Sequence, residues 1–298
     1  MIFADGADED AGLIDVWDID TFDNELRGDL DAHADLIRDY MITSRRQSRE
    51  HEASDHRMPC PENPHAGEFR AMKEHIMRLM KARTIRAWHY TRLTDTEVDT
   101  LRQAGIYPSS LDTIRSRFTA QVVAGAFTQE VADRLFADSP YQSDQLAARS
   151  GKFWMTSHPV DIEDGGVELL LESWGGEAAY FWQQDTALQD MLKRVGRPRV
   201  LEIAMPLLHS RHTSSATEAV VATYGRTLGC EPDKHAFDLY SQQPLGPAHI
   251  LAVHSEGGAG FRHHCPGLSD RVHRRKPGSV GRRVSQAMSK AITRKIAA

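Results

Sequence analysis

The sequence predicts an α+β fold, and three observations carry that prediction. Short apolar, β-branched runs at 85–90, 153–156, 200–206 and 249–254 are separated by helical patterns of uneven length, unlike a regular βαβ succession. With 298 residues, 40% apolar and 26% charged, the chain has ample material for a core and the balance of an ordinary globular protein. Mean hydropathy is −0.49, and no apolar stretch approaches the roughly 18 residues that a membrane-spanning helix needs.

Residues 1–12 are acidic and without periodicity, which predicts disorder. Residues 13–50 read as helical, with Leu26, Leu30, Leu36, Ile37 and Met41 as a stripe and Asp20 or Thr21 as the cap. Residues 51–66 (HEASDHRMPCPENPHA) read as a loop broken by Pro59, Pro61 and Pro64. A second helix runs over 67–82 through Phe69, Met72, Ile76, Leu79 and Met80. Ile85–Tyr90 reads as a buried strand, followed by a polar break and a helix over Asp95–Ala104 that Gly105 closes. Helices follow at about 109–125 and 128–137, then a short strand at Phe153–Thr156. Glu168–Ser173 and Glu177–Trp182 flank a Gly-Gly break. Val200–Pro206 and His249–His254 read as strands. The chain closes on a Gly-rich run at 257–260 and a basic tail, in which Val280, Val284, Met288, Ala291, Ile292 and Ile296 recur at helical spacing. No internal repeat is found.

Charge is unevenly spread. Residues 1–66 hold 17 acidic and 6 basic side chains, and residues 262–298 hold 10 basic and 1 acidic. The two ends either stay solvated, pair with each other, or leave the tail to meet a polyanion. The tail's basic residues are not interleaved with aromatics, so specific nucleic-acid readout is only weakly indicated. Cys60, Cys230 and Cys265 are scattered and build no disulfide framework. With no basic-then-apolar leader at the acidic start, they predict a reducing, cytoplasmic setting, with secretion as an effector left open. The patterns G-x-G-x-x-G, G-x-x-x-x-G-K-[ST] and G-x-S-x-G are absent. The 15 His residues include no H-E-x-x-H. Cys60-x4-His65 and His263-His264-Cys265 have no partner pair at zinc spacing, so no metal is expected.

One stretch is more specific: Trp88-His89-Tyr90-Thr91-Arg92-Leu93, an acidic helix with Glu97 and Leu101, then Gly105-Ile106. It resembles the first active-site segment of the ADP-ribosyltransferase superfamily, a His-x-Thr at a strand end, a short helix and a Gly followed by an aliphatic. The family's second segment, a short strand carrying an aromatic before Ser/Thr, is matched by Gly151–Ser157, with Trp154 where Tyr is usual. The third segment should supply a carboxylate. Glu177 after Gly175-Gly176 is preferred, and Glu172 and Asp238 stay open.

The resemblance implies a split, mixed or antiparallel sheet core and cleavage of the nicotinamide–ribose bond of NAD, the expected substrate. His89, Thr91, Arg92, Trp154 and Ser157 would hold the dinucleotide. His89 and Thr91 would hydrogen-bond ribose and amide, Trp154 would stack the nicotinamide ring, and Arg92 would meet the pyrophosphate. Glu177 would stabilise the oxocarbenium-like charge or activate the nucleophile, with His89 as its catalytic companion. ADP-ribose would go to a macromolecular acceptor or to water, as in a toxin or defence effector. The alternative is an inactive domain of the same fold used for binding or interaction. The expected organisation is an acidic end at 1–12, a helical accessory region at 13–82, a catalytic domain at 83–256, and a Gly-rich loop with basic tail at 257–298.

Overall fold

The computed structural model describes residues 12–53, 61–160 and 166–264, so the acidic end up to residue 11 and the basic tail beyond 264 lie outside the described residues. In chain order the elements are α1 (Asn24–Ala32), α2 (Ala34–Ala53), α3 (Ala66–Lys81), β1 (Thr84–Leu93), α4 (Asp95–Ala104), α5 (Leu111–Val123) and α6 (Gln129–Ala137). Next come α7 (Leu146–Arg149), β2 (Phe153–Thr156), α8 (Val167–Glu172), α9 (Glu177–Tyr180), α10 (Thr186–Arg194), β3 (Arg197–Pro206), α11 (Thr213–Thr227), β4 (Asp238–Ser241), β5 (Ile250–Ser255) and α12 (Ala259–His264). The α+β class expected from the sequence is what the chain adopts.

The five strands make one sheet in the order β4-β2-β1-β3-β5, and every neighbouring pair is antiparallel. The joins are unequal. β1 and β3 pair along their whole length, from Thr84↔Pro206 to Leu93↔Arg197. β1 and β2 meet at a single registered pair, Trp88↔Thr156. The sheet is therefore continuous where a split one was expected, yet it carries a seam between β4–β2 and β1–β3–β5. Beside the seam, Ile14 bridges Ile85 in parallel, so the chain before α1 lies along the central strand where β2 barely reaches it.

Side chains alternate across a strand. Ile85, Ala87, Leu93, Leu201, Ile203 and Met205 on one face join Leu26, Leu30, Ile37, Phe69, Met72, Ile76, Val220 and Tyr224 from α1, α2, α3 and α11 in one core. The helices read as an accessory region at 13–82 thus share their core with the sheet. A second cluster joins α5, α6 and α10 around the fully buried Trp174.

The helix read over 13–50 is corrected. Ile14 and Val16 are both buried, Ile14 lies extended along the central strand β1, Asp23 caps α1 by accepting from the Leu26 N–H, and the helix breaks at His33. The period-two spacing of Ile14 and Val16 wins there over helical spacing. The sequence reading has no counterpart for α7, α10, α11 and β4, and the Gly-rich run read as a loop at 257–260 enters α12 at Ala259.

Candidate functional site

β1 carries His89 to the seam. Its Nδ1 lies 2.8 Å from the Trp154 carbonyl oxygen, and its ring packs on Phe153 with centroids 4.4 Å apart. A carbonyl only accepts, so Nδ1 carries the proton and Nε2 is left with its lone pair. The imidazole is half-buried by surface but enclosed by protein. That burial, with Arg117 nearby, outweighs the carbonyl bond and pushes its pKa down to about 4. His89 is therefore neutral near pH 7.

Two ion pairs hold the candidate carboxylate and the cation nearest His89. Glu97, third residue of α4, closes a capping box with Thr94 and receives Arg117 Nε at 3.0 Å and the Trp174 indole N–H at 2.8 Å. Burial alone would raise the Glu97 pKa, but Arg117 and the N–H donors more than offset it and hold the carboxyl below its usual range. The second pair joins the buried Arg149 to Glu177 at 3.0 Å. Tyr141 feels the charges of Glu177, Arg149 and Arg117, and its hydroxyl is bonded to Ser109. Burial, and then the Glu177 charge, raise the Tyr180 pKa. No hydrogen bond, ion pair or ring contact joins His89 to Glu177; Arg117 is the charged group whose field reaches His89.

The other sequence candidates go elsewhere. Trp154 stands on the opposite face of β2 from Phe153, the ring that touches His89, so it does not wall the His89 side. Trp174, three residues before Glu177, is fully buried core. Arg92 donates to the carbonyls of Val195, Leu171 and Gly196, and burial lowers its pKa. Ser157 is fully buried and accepts from the Trp17 indole N–H and the Phe237 N–H. Both hold loops together where the sequence reading had them meeting the dinucleotide. Thr91 is buried on the His89 face of β1. Glu172 lies 3.8 Å from Lys193, and Asp238 is exposed opposite Thr156 on β4.

A cluster that the sequence reading passed over lies on the other face, where Glu202 stands beside Trp88. Its buried carboxylate bonds Arg86 through one oxygen and His254 Nε2, at 3.0 Å, through the other. A Glu inside the apolar run Val200–Pro206 was the available signal, since a carboxylate enters a central strand only with partners. Gly260 of α12 packs so closely on the His254 ring that a Cβ there would lie 2.3 Å from Nδ1.

Two open surface cavities, of about 360 and 260 Å³, are lined by Arg134, Trp182 and Gln183 and by Tyr40, Phe69 and Lys73 respectively, and neither includes His89 or Glu177. Among the described residues no group of three or more His, Cys, Asp or Glu side chains could hold a metal ion, and no helix is long and apolar enough to cross a membrane. Compared with known families, curated proteins and solved structures, the chain matches none.

Proposed function

We propose that the chain is an NAD-cleaving enzyme in which His89 and Glu177 act, with ADP-ribose passing to a macromolecular acceptor or to water. The observation that carries this reading is the neutral His89 at the seam, its Nε2 lone pair available to accept from a ribose hydroxyl. Glu177 supports it. A carboxylate fixed by the buried Arg149 is oriented in advance and can face a developing positive charge, as electrostatic stabilisation requires. Phe153 takes over from Trp154 the part of the aromatic surface beside His89.

The test is incubation of the full chain with NAD and detection of free nicotinamide, with and without candidate acceptors. Steady release supports the reading. A second reading rests on the same ion pair: because Arg149 already neutralises Glu177, the fold could hold a ligand without cleaving it. NAD binding by calorimetry with no nicotinamide released would favour that module. Absence of both would remove the NAD assignment.

A further inference from the structure

We infer that the edge of the sheet at Trp154, Tyr240, His212 and Arg211 is a stacking surface for single-stranded nucleic acid. Three separate stretches of chain build it. Trp154 of β2 pairs with Tyr240 of β4, and their rings meet edge-on with centroids 4.7 Å apart. The segment before α11 folds against this edge, the His209 carbonyl accepting from the Gln242 N–H. It sets the His212 ring 4.8 Å from Tyr240 and 6.4 Å from Trp154.

The patch is open and cationic. Trp154 is 41% exposed, although an indole is among the costliest side chains to leave in water. The Lys152 ammonium lies 5.9 Å from the Trp154 ring and 5.3 Å from the Tyr240 ring while donating to the carbonyls of Ala147 and Ala148. Arg211 is exposed and has no ion pair to any described residue. Asp238, two residues from Tyr240 on the same strand, is exposed and places one acidic group at the end of the patch. An exposed indole beside cations, backed by the half-buried Tyr240 and His212 rings, suits an unpaired base, which stacks on the ring while the phosphates meet the charges. A duplex hides its base faces and would gain only the electrostatic part. The chain's formal charge is −6, so a local cationic surface is what admits a polyanion. The inference stands apart from the NAD reading, which uses the backbone carbonyl of Trp154 and not its ring.

The experiment measures fluorescence anisotropy of a labelled 12-nucleotide single strand, and of its blunt duplex, with the full chain and with Trp154→Ala. The expected result is single-strand binding weakened about 10-fold or more in Trp154→Ala, with duplex binding changed less than about 2-fold. Arg211→Glu alters a surface charge alone, so it keeps the test open should Trp154→Ala fail to fold. It should weaken single-strand binding and reduce the salt slope by roughly 1–2. The inference is overturned if the wild-type chain binds no single strand, as a patch made for a protein partner would predict. It is equally overturned if folded Trp154→Ala binds the single strand as wild type does, if the duplex loses as much, or if Arg211→Glu changes nothing.

Discussion

With its Nδ1 proton committed to the Trp154 carbonyl, His89 offers a lone pair and no charge, and its replacement separates function from packing. His89→Ala is expected to lower nicotinamide release roughly 10²–10³-fold in a folded protein, and an unaltered rate would sink its assigned role. Its titration gives a second check. The folded pKa of about 4 lies below the usual 6.5, so between those values the unfolded chain binds more protons. The group's contribution to stability is therefore complete above about pH 6.5 and is lost as pH falls toward 4. An NMR titration should show the His89 ring unchanged above about pH 5.5; a midpoint near 6.5 would contradict its burial. For the carboxylates, Glu177→Gln should reduce turnover about 10²-fold or more with little change in NAD affinity, while Glu172→Gln and Asp238→Asn leave it intact. A dead Asp238→Asn would return Glu177 to a helix-start residue. At this scale the sequence pointed to His89 on its strand and to Glu177 after two glycines. It could not say that Trp154 and Arg92 turn away, because facing follows from register. Nor could it bring Arg117, Tyr141 and Arg149 together from three other elements.

Elements with strong local signals were readable. α4 has its capping box and its closing glycine, α3 its apolar stripe, and β1 and β3 their apolar runs. α11 escaped because Ala216, Ala219, Val220, Val221, Ala222 and Tyr224 leave it buried nearly all round, so no stripe contrasts with a polar face. β4, four residues long, offers too short a pattern. Gly105 is where element structure is least forgiving. Its φ is +82°, and a Cβ there would lie 2.2 Å from the Leu245 carbonyl oxygen, in the bridge that joins Ile106 to Leu245. Gly105→Ala is expected to cost about 2–4 kcal/mol, from left-handed strain plus a backbone clash. Urea denaturation measures it, and an unmoved midpoint would contradict the close approach.

At the scale of the whole molecule, the shared core decides how the chain can be cut. Phe69, Met72, Ile76 and Met80 of α3 pack in the same cluster as Ile85, Ile203 and Met205 of the sheet. Deleting residues 13–82 is therefore expected to abolish cooperative thermal unfolding, whereas an independent accessory region would leave the remainder folded. Truncation after about residue 278 should leave nicotinamide release unchanged and diminish salt-dependent polyanion binding, because it removes Arg282, Arg283, Lys290, Arg294 and Lys295, half of the 10 basic residues in 262–298. Polyanion binding that ignores salt would argue against a charge-driven tail.

The central pairing of β1 with β3 also governs how the molecule is born. These strands are sequence-distant, β1 ending at Leu93 and β3 at Pro206, and β2 waits similarly for β4. Among the described residues, the only consecutive strands that pair are β1 and β2, at one registered pair across about 60 intervening residues. At roughly 5–20 residues per second, a ribosome that has finished β1 needs about 6–20 s more to deliver its long partner. During that interval Ile85, Ala87, Trp88 and Tyr90, all buried in the finished protein, are without their main covering. The nascent chain would then be a client for factors that shield apolar segments, and refolding from denaturant should be slow and prone to aggregation at high concentration.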